Sequence, residues 1–453
     1  MTPIEKYFKA KELLKEVFKE EIFYKKIPIL DCLRHDLPVN IINPIEKNPT
    51  LANLHHLIFW TALHTRDFFY RLTHKPKPTQ ESDTLLILNS VSHVRTIIPV
   101  LKKLKSPIKI IANGSGAQKA LDKENIGYIP FEKYKTKKGK IEVNSEHPKY
   151  KRIKYITKTW FKKTIKQIEA TENLLNKEKP KKVIVLNENN MFGRTFVRVA
   201  NLNNIETLYI QHGVLATHAY DKAISNKIAV WGEQVKDFLV ERGTDPNKII
   251  ITGSPGYDKL FNFKSDKNKI YQELNLDPNK EIVLYTSQPF GFEISKENNL
   301  EIMTAFIKAV KNIPNKHAVI KLHPAEHETS YKSLLKTFKK EDYTMCKETN
   351  IYELIDAAEI LITQISTTAL EAMILNKNII TVTTFLSSAI SPYGKSKAAL
   401  EVSNLDELQS TLKKILTDKE LIKELEENRK KFVYSYNYKC DGKATDRIIE
   451  LIT

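Results

Sequence analysis

The sequence predicts an α/β protein with two doubly wound parallel sheets, each in its own domain, and a helical extension at the N-terminus. Short apolar runs of strand length recur along the chain, and helix-length segments separate them. Such runs are typical of parallel strands that are buried on both faces. The runs stop near residue 251 and resume after residue 280. Because 453 residues are too many for one hydrophobic core, we expect two major domains.

The strands are predicted from the apolar runs themselves. The first sheet is predicted from Leu85–Leu88, Ile108–Ile111, Val183–Leu186, Leu208–Ile210, Ile228–Trp231 and Ile249–Ile251. The second sheet is predicted from Ile282–Tyr285, Ala318–Leu322, Ile360–Ile362 and Ile379–Val382. The polar, lysine-rich residues 133–154 are expected to form a loop that leaves the first sheet.

The domain limits follow from these runs. We predict a helical extension over 1–80, a first sheet domain over 81–262, a second over 263–430 and a C-terminal helix within 431–453. Residues 3–24 place apolar side chains on one helical face, and 51–72 form another helical stretch. The apolar face of 3–24 is expected to dock on the protein body. Its lysines could instead hold it on a membrane surface.

Composition limits the function without naming it. The net charge of +18 comes mostly from lysine, which fits anionic glycans, nucleotides or membrane surfaces. The lysines are dispersed, and no zinc-finger or helix-turn-helix spacing occurs, so a nucleic-acid partner is not expected. The three cysteines have no metal-site spacing, and neither a signal peptide nor a membrane-spanning run is found. We expect a cytoplasmic protein, with the inner membrane surface as the alternative.

Two elements at predicted strand ends carry the strongest functional signal. Lys321-Leu322-His323-Pro324 follows one apolar run, and Ser366-Thr367-Thr368 with Glu371 follows another. If the two strands are parallel neighbours, both elements reach the sheet edge where α/β proteins bind ligands. A histidine beside a helix N-terminus suits a phosphate group. The structural alternative is a capping box, in which Glu371 only closes the first helical turn.

These elements resemble motifs of the GT-B glycosyltransferases of surface-polysaccharide synthesis, a group that includes capsule sialyltransferases and CDP-glycerol glycerophosphotransferases. The matching segments are His323-Pro324, Ser366-Thr367, Gln211-His212-Gly213, Val230–Glu233, Thr252–Pro255 with Asp258, and Asp441–Ala444. The resemblance covers roughly residues 81 to 453 and implies two domains that face a cleft, with the final helix packed back on the first. It departs at Gln364-Ile365, where the glycerophosphotransferases carry an aspartate and an aromatic residue.

The resemblance implies that the second domain binds a nucleotide-activated donor, linked to CMP, CDP or UDP. His323 and Lys321 would stabilise the departing phosphate, and Glu371 would bind ribose hydroxyls. The remaining donor-site candidates are Pro324, Ser366, Thr367, Thr368, Ser287, Gln288 and the Gly253-Ser254 turn.

The acceptor side is predicted in the first domain, at the strand ends that carry polar side chains. His93, Glu188 and His212 are the candidate general bases, and Gln211 and Gly213 flank the last of them. No Asp-x-Asp triplet occurs, and neither a metal nor a cofactor is expected. Gly114-Ser115-Gly116 lacks the third glycine of a dinucleotide fingerprint.

The predicted function is a metal-independent glycosyltransferase. It would move a sugar or related group from a nucleotide-activated donor to a glycan or lipid-linked glycan acceptor by direct displacement at the donor carbon. Two alternatives stay open: a nucleotide-sugar 2-epimerase, which shares the GT-B fold, and a non-catalytic nucleotide-sugar binding protein of the same pathway.

Overall fold

The computed structural model describes residues 3–46, 75–135, 145–213, 220–289, 295–364, 366–384 and 392–453. The chain forms two compact units, the first from Met1–Gly256 with Ala444–Thr453 and the second from Tyr257–Lys443. The chain therefore leaves the first unit earlier than the predicted limit at 262. It returns at Ala444, after the predicted start of the last segment at 431. The predicted helix over 51–72 lies outside the described residues.

The N-terminal segment is helical, as predicted, and docks on the first unit. Its elements are α1 (Pro3–Val17), the antiparallel pair β1 (Phe23–Tyr24) and β2 (Ile27–Pro28), α2 (Ile29–Cys32) and α3 (Asp36–Glu46). Tyr7, Leu13 and Val17 are buried in a cluster that also holds Trp160 and Phe161. The apolar face of α1 is thus covered by the protein body, which is the structural interpretation of its pattern.

The first unit contains a seven-stranded parallel sheet. Its strands are β3 (Thr84–Leu88), β4 (Lys109–Ala112), β5 (Ile129–Pro130), β6 (Lys182–Val185), β7 (Glu206–Ile210), β8 (Lys227–Val230) and β9 (Ile249–Ile251). The spatial order is β5-β4-β3-β6-β7-β8-β9. The direction of winding reverses between β3 and β6, and a crevice at such a point is where open α/β sheets bind ligands.

Helices cover this sheet. They are α4 (Val91–Lys103), α5 (Ser115–Lys123), α6 (Tyr150–Glu178), α7 (Met191–Leu202) and α8 (Glu233–Glu241), with short 3-10 turns at Phe131–Tyr134, Pro246–Lys248 and Pro255–Leu260. The predicted loop over 133–154 is wrong at its end, because α6 begins at Tyr150. Ile153 and Ile156 lie at helical spacing between lysines and are both buried. Their burial holds the start of α6 against the protein.

The second unit contains a six-stranded parallel sheet. Its strands are β10 (Glu281–Thr286), β11 (Lys316–Lys321), β12 (Tyr343–Cys346), β13 (Ile360–Thr363), β14 (Asn378–Val382) and β15 (Leu400–Val402), in the order β12-β11-β10-β13-β14-β15. The strands before His323 and Ser366 are parallel but are not direct neighbours, so the condition of parallel neighbours holds only in part. Strand β10 lies between them, because the first strand of this unit takes the central place.

The remaining helices belong to this unit, except for the last. They are α9 (Lys267–Glu273), α10 (Lys296–Lys311), α11 (Lys332–Thr337), α12 (Ile351–Ala357), α13 (Thr368–Ile374), α14 (Pro392–Lys395), α15 (Leu408–Thr417), α16 (Lys419–Asn437) and α17 (Ala444–Ile452), with 3-10 turns at Glu328–Tyr331, Lys340–Asp342 and Leu405–Glu407. Ile448 of α17 is buried in the core of the first unit, beside Val94 and Ile97 of α4. Across the described parts of the chain, no helix combines the length and apolar character needed to cross a membrane.

Candidate functional site

The end of β10 joins the two predicted donor elements of the second unit. The Thr286 hydroxyl contacts the Thr368 hydroxyl at 2.9 Å and donates to the Thr363 hydroxyl, also at 2.9 Å. The next residue, Ser287, accepts a hydrogen bond from the backbone N–H of His323 at 3.2 Å. Since β10 is one of the two strands at the switch point, both elements meet at the ligand-binding edge of this sheet.

The loop around His323 sets the tautomer of its side chain. His323 is exposed, and its Nδ1 accepts a hydrogen bond from the backbone N–H of Ala325 at 3.1 Å. A neutral imidazole whose Nδ1 accepts must carry its proton on Nε2. The loop therefore fixes a tautomer that can donate from Nε2 to an anionic oxygen.

The start of α13 is held by the Ser366 hydroxyl and by backbone hydrogen bonds rather than by a capping box. Thr367 precedes the helix without a side-chain cap, and the Ser366 hydroxyl accepts from the backbone N–H of Thr368 at 3.2 Å. Glu371 is nearly buried, and the Tyr352 hydroxyl donates to its carboxylate at 3.5 Å. The alternative in which Glu371 only closes a capping box is therefore wrong.

Glu326 organises the His323 loop and was missed in the sequence. It is only 2% exposed, and its carboxylate accepts from the backbone N–H of His323 at 2.8 Å and from the hydroxyls of Ser287 and Tyr331. Asn299 donates a further bond at 3.3 Å. An acidic residue in a polar loop is usually solvated, so the sequence held no signal for this buried role.

The other donor candidates occupy varied places. Lys321 donates to the backbone carbonyl of Lys347, and the carbonyl of Gln288 accepts from Asn299. Pro324 is exposed beside His323. Gly253, with a φ of 76°, and the buried Ser254 follow the edge strand β9, so they belong to the first unit.

Two histidines meet at the corresponding edge of the first unit. His93 lies in the first turn of α4, where the Ser90 hydroxyl caps the helix by accepting from the N–H of His93 at 3.2 Å. His212 follows β7. The two rings are 4.4 Å apart between centroids, with 62° between their planes. Nothing in the sequence indicated that the two rings would be in contact, and their role in catalysis stays a prediction.

Burial keeps both histidines neutral near pH 7. It lowers the pKa of His212 to about 4, and burial together with the proximity of His212 lowers the pKa of His93 well below its usual value. The Nδ1 of His212 faces the carbonyl oxygen of Leu186, so it carries the proton and leaves Nε2 as the acceptor. The Nδ1 of His93 has no hydrogen-bond partner among the described residues. A bound anion would raise both pKa values toward the range of a useful base.

Glu188 lies after β6 in the same unit, but its carboxylate is engaged. It accepts from the backbone N–H groups of Ile224 at 2.9 Å and Ser225 at 3.1 Å, and from the Ser225 hydroxyl. Burial raises its pKa above the usual value for a glutamate, despite these bonds and the nearby Arg194. This carboxylate therefore anchors the segment that follows 220, which makes it a weaker base candidate than the histidines.

Gln211 shapes the turn that carries His212. Its side chain is buried, donates to the carbonyl of Gly213 at 2.9 Å and accepts from the N–H of Trp231 at 2.8 Å. The amide thus ties the end of β7 to the end of β8. These bonds hold the turn that carries His212, and the acceptor-side role of Gln211 and Gly213 stays a prediction.

Gly193 makes a close backbone approach beneath the same edge. A Cβ atom placed on it would lie 1.5 Å from the carbonyl oxygen of Asn187. The first turn of α7 therefore packs directly on the chain that leaves β6, and only glycine fits there.

In the described chain, no group of three or more His, Cys, Asp or Glu side chains could hold a metal ion.

Comparison with known proteins adds a family and a fold. A family model described as UDP-N-acetylglucosamine 2-epimerase matches residues 147–453. Among solved structures, S. aureus MnaA with UDP has a TM-score of 0.56 at 16% identity, over 82% of this chain and 95% of that one. The Neisseria meningitidis UDP-GlcNAc 2-epimerase bound to UDP-GlcNAc has a TM-score of 0.56 at 15% identity, over 81% and 98%.

Two glycosyltransferases are also similar to this chain. One from Rickettsia africae has a TM-score of 0.52 at 16% identity, over 82% of this chain and 99% of that one. The processive diacylglycerol beta-glucosyltransferase of Bacillus licheniformis is 28% identical over 147 residues, or 32% of this chain. The match spans about a third of that relative's length, 37%. The likenesses to solved structures show the fold, two parallel-sheet units of the GT-B-like class, which confirms the predicted fold class.

Proposed function

We propose that this chain, which belongs to the UDP-N-acetylglucosamine 2-epimerase family, is an enzyme that acts on a nucleotide-activated sugar and breaks the bond between the sugar and the nucleotide phosphate. The observation that carries the proposal is the edge of the second unit. There Thr286, the last residue of β10, contacts the hydroxyl of Thr368, and the next residue, Ser287, accepts a hydrogen bond from the backbone N–H of His323. The His323 loop and the start of α13, brought to one switch point, support a site for a phosphate that gains charge as it departs.

The leading chemistry in this proposal is epimerisation at C2 of a UDP-linked N-acetylhexosamine. The hydrogen on C2 is not acidic in the intact sugar, but it can be removed as the nucleotide leaves C1. Returning the proton on the other face and the nucleotide to C1 completes the inversion. The family supports this chemistry, and the relatives solved with UDP or UDP-GlcNAc support UDP as the nucleotide.

Sugar transfer is the second candidate, favoured by the histidine pair of the first unit. The carboxylate of Glu188 is engaged, so that edge offers neutral imidazoles. A neutral imidazole can deprotonate an acceptor hydroxyl during direct displacement at C1. The Bacillus licheniformis relative is named as a glucosyltransferase, which also supports this chemistry. The sialyltransferase and glycerophosphotransferase resemblances belong to this candidate.

An incubation in heavy water without acceptor tests the proposal. We expect UDP-N-acetylglucosamine to gain deuterium at C2 and to equilibrate with its C2 epimer, as followed by NMR. Transfer would be indicated instead if the substrate gains no deuterium and is consumed only when a glycan acceptor is added.

Binding of the nucleotide is tested by the melting temperature, since a ligand that binds only the folded protein raises it. No shift with millimolar UDP, CDP or CMP would rule out the donor site itself.

Replacing Glu326 tests whether its carboxylate holds the His323 loop in the shape that binds the nucleotide. Replacing Glu326 with alanine removes the acceptor shared by His323 and Ser287, so we expect UDP affinity, measured by calorimetry, to fall at least about tenfold. Glu326→Gln keeps one acceptor oxygen and should lose less. Glu188→Gln is the matched control, because it alters an equally buried carboxylate in the other unit. Parental affinity in a folded Glu326→Ala protein would contradict the role of the carboxylate.

A further inference from the structure

The first half of α6 exposes a stripe of positive charge. Its solvent-facing cations are Lys151, Arg152, Lys154, Lys158, Lys162 and Lys166, and we call this set the α6 stripe. From Tyr150 to Ile168 the helix carries no acidic residue. At 1.5 Å per residue, the stripe is about 22 Å long.

The charged side chains in the two halves of α6 differ in their ion pairing. In the second half, Glu169 and Glu172 pair with Lys25 at 2.9 and 2.7 Å, and Glu178 pairs with Lys109 at 2.7 Å. None of the stripe cations forms an ion pair with any residue that the structure describes. The glutamates of the second half are thus paired within the protein, whereas the cations of the α6 stripe have no acidic partner among the described residues.

The stripe also works against the helix that carries it. Lys154, Lys158, Lys162 and Lys166 follow one another at four-residue spacing. Like charges at this spacing destabilise a helix, so local helix stability does not explain the pattern. The buried face of α6, with Trp160 and Phe161 in the core, holds the helix in spite of it.

We propose that the α6 stripe binds the surface of a membrane that contains anionic lipids. Lysine is a compact point charge, which suits attraction to a field of headgroups. Tyr155, 51% exposed amid the stripe, can insert an amphipathic ring at the headgroup level. Nucleic acid fits less well, because base recognition and strand stacking call for arginine forks and several aromatic rings, and the stripe has one of each.

This surface differs from the one that the sequence suggested for membrane contact. The apolar face of α1 is covered by the first unit, so insertion through that face is not available in this fold. Attachment through the α6 stripe is electrostatic, and it must weaken as salt is added.

Co-sedimentation of the full chain with vesicles tests the proposal. We expect binding to phosphatidylcholine vesicles that contain about a third phosphatidylglycerol, little binding to phosphatidylcholine alone, and release as salt rises. The triple change Lys154→Gln, Lys158→Gln and Lys162→Gln should weaken the apparent affinity at least about tenfold. Circular dichroism checks that α6 stays helical.

A control separates the stripe from net charge. Lys413→Gln, Lys419→Gln and Lys423→Gln removes the same charge from exposed lysines of α15 and α16, and it should leave vesicle binding nearly unchanged. Equal losses in both triple variants would overturn the proposal, since total charge would then explain binding. Failure to bind anionic vesicles at low salt would also overturn it, as would tight binding of RNA or DNA with no vesicle binding.

Discussion

Replacing His323 with alanine is expected to lower turnover about a hundredfold or more, with little change in the free energy of unfolding. The side chain is exposed at the mouth of the sheet, where it adds little to core packing. In the proposed mechanism, its Nε2–H stabilises charge on the departing phosphate, which counts mainly in the transition state. Steady-state kinetics on UDP-N-acetylglucosamine, together with denaturant unfolding, measures both quantities.

The same loop offers a matched control. His327 is also exposed and lies four residues further on, so His327→Ala should keep parental turnover. If both variants lose activity alike, a general disturbance of the loop explains the loss. If His323→Ala loses stability rather than turnover, the histidine is structural and the proposed donor role is wrong.

The second large effect is expected at the histidine pair of the first unit. His93→Gln or His212→Gln should lower the catalytic rate at saturating substrate by about a hundredfold to ten-thousandfold, because the variant lacks the proton acceptor. UDP affinity should stay nearly unchanged, since the nucleotide site is proposed in the second unit. The variant with the larger loss identifies the residue that takes the proton.

Glu188→Gln separates packing from catalysis at this edge. Its carboxylate is surrounded by the N–H and O–H groups of Ile224 and Ser225, so the change should cost about 1–3 kcal/mol of stability. The folded fraction should keep its turnover. Full activity in both histidine variants, with loss only in Glu188→Gln, would assign the base to the carboxylate.

Acidification gives a second readout of the histidine pair. The folded pKa of His212 is about 4, while an unfolded histidine titrates near 6.5. Between these pH values His212 binds a proton in the unfolded chain but not in the folded protein. The free energy of unfolding therefore falls as the pH drops from 6.5 through 4. His212→Gln should flatten this part of the stability profile in urea unfolding.

The central strands could be predicted because each is a continuous apolar run. Strand β12 was missed because only Tyr343 and Cys346 are buried, while Thr344 and Met345 are half-exposed. The edge strand β15 and the two-residue β5 gave equally weak signals. Strand order could not be predicted, because the central place of β10 arises from pairings between residues far apart in sequence.

For the candidate site, the strand ends that carry its residues could be predicted, but most of the hydrogen bonds between its residues could not. Polar residues after apolar runs predicted that His323, Thr368, His93 and His212 follow the carboxyl ends of strands, and the structure places them there. Their contact with a ligand stays a prediction. The hydrogen-bond partners of the buried Glu188 and Glu326 could not be predicted. Glu188 is bound by groups 36 and 37 residues away, and Glu326 by Ser287, 39 residues earlier.

The close approach at Gly193 restricts how this protein can diverge. Any side chain there would push on the Asn187 carbonyl, which belongs to the residue after Leu186. The Leu186 carbonyl in turn fixes which nitrogen of His212 bears the proton. A substitution at 193 would thus be transmitted through a few backbone atoms to an imidazole. We expect relatives that keep a histidine at 212 to keep glycine at 193.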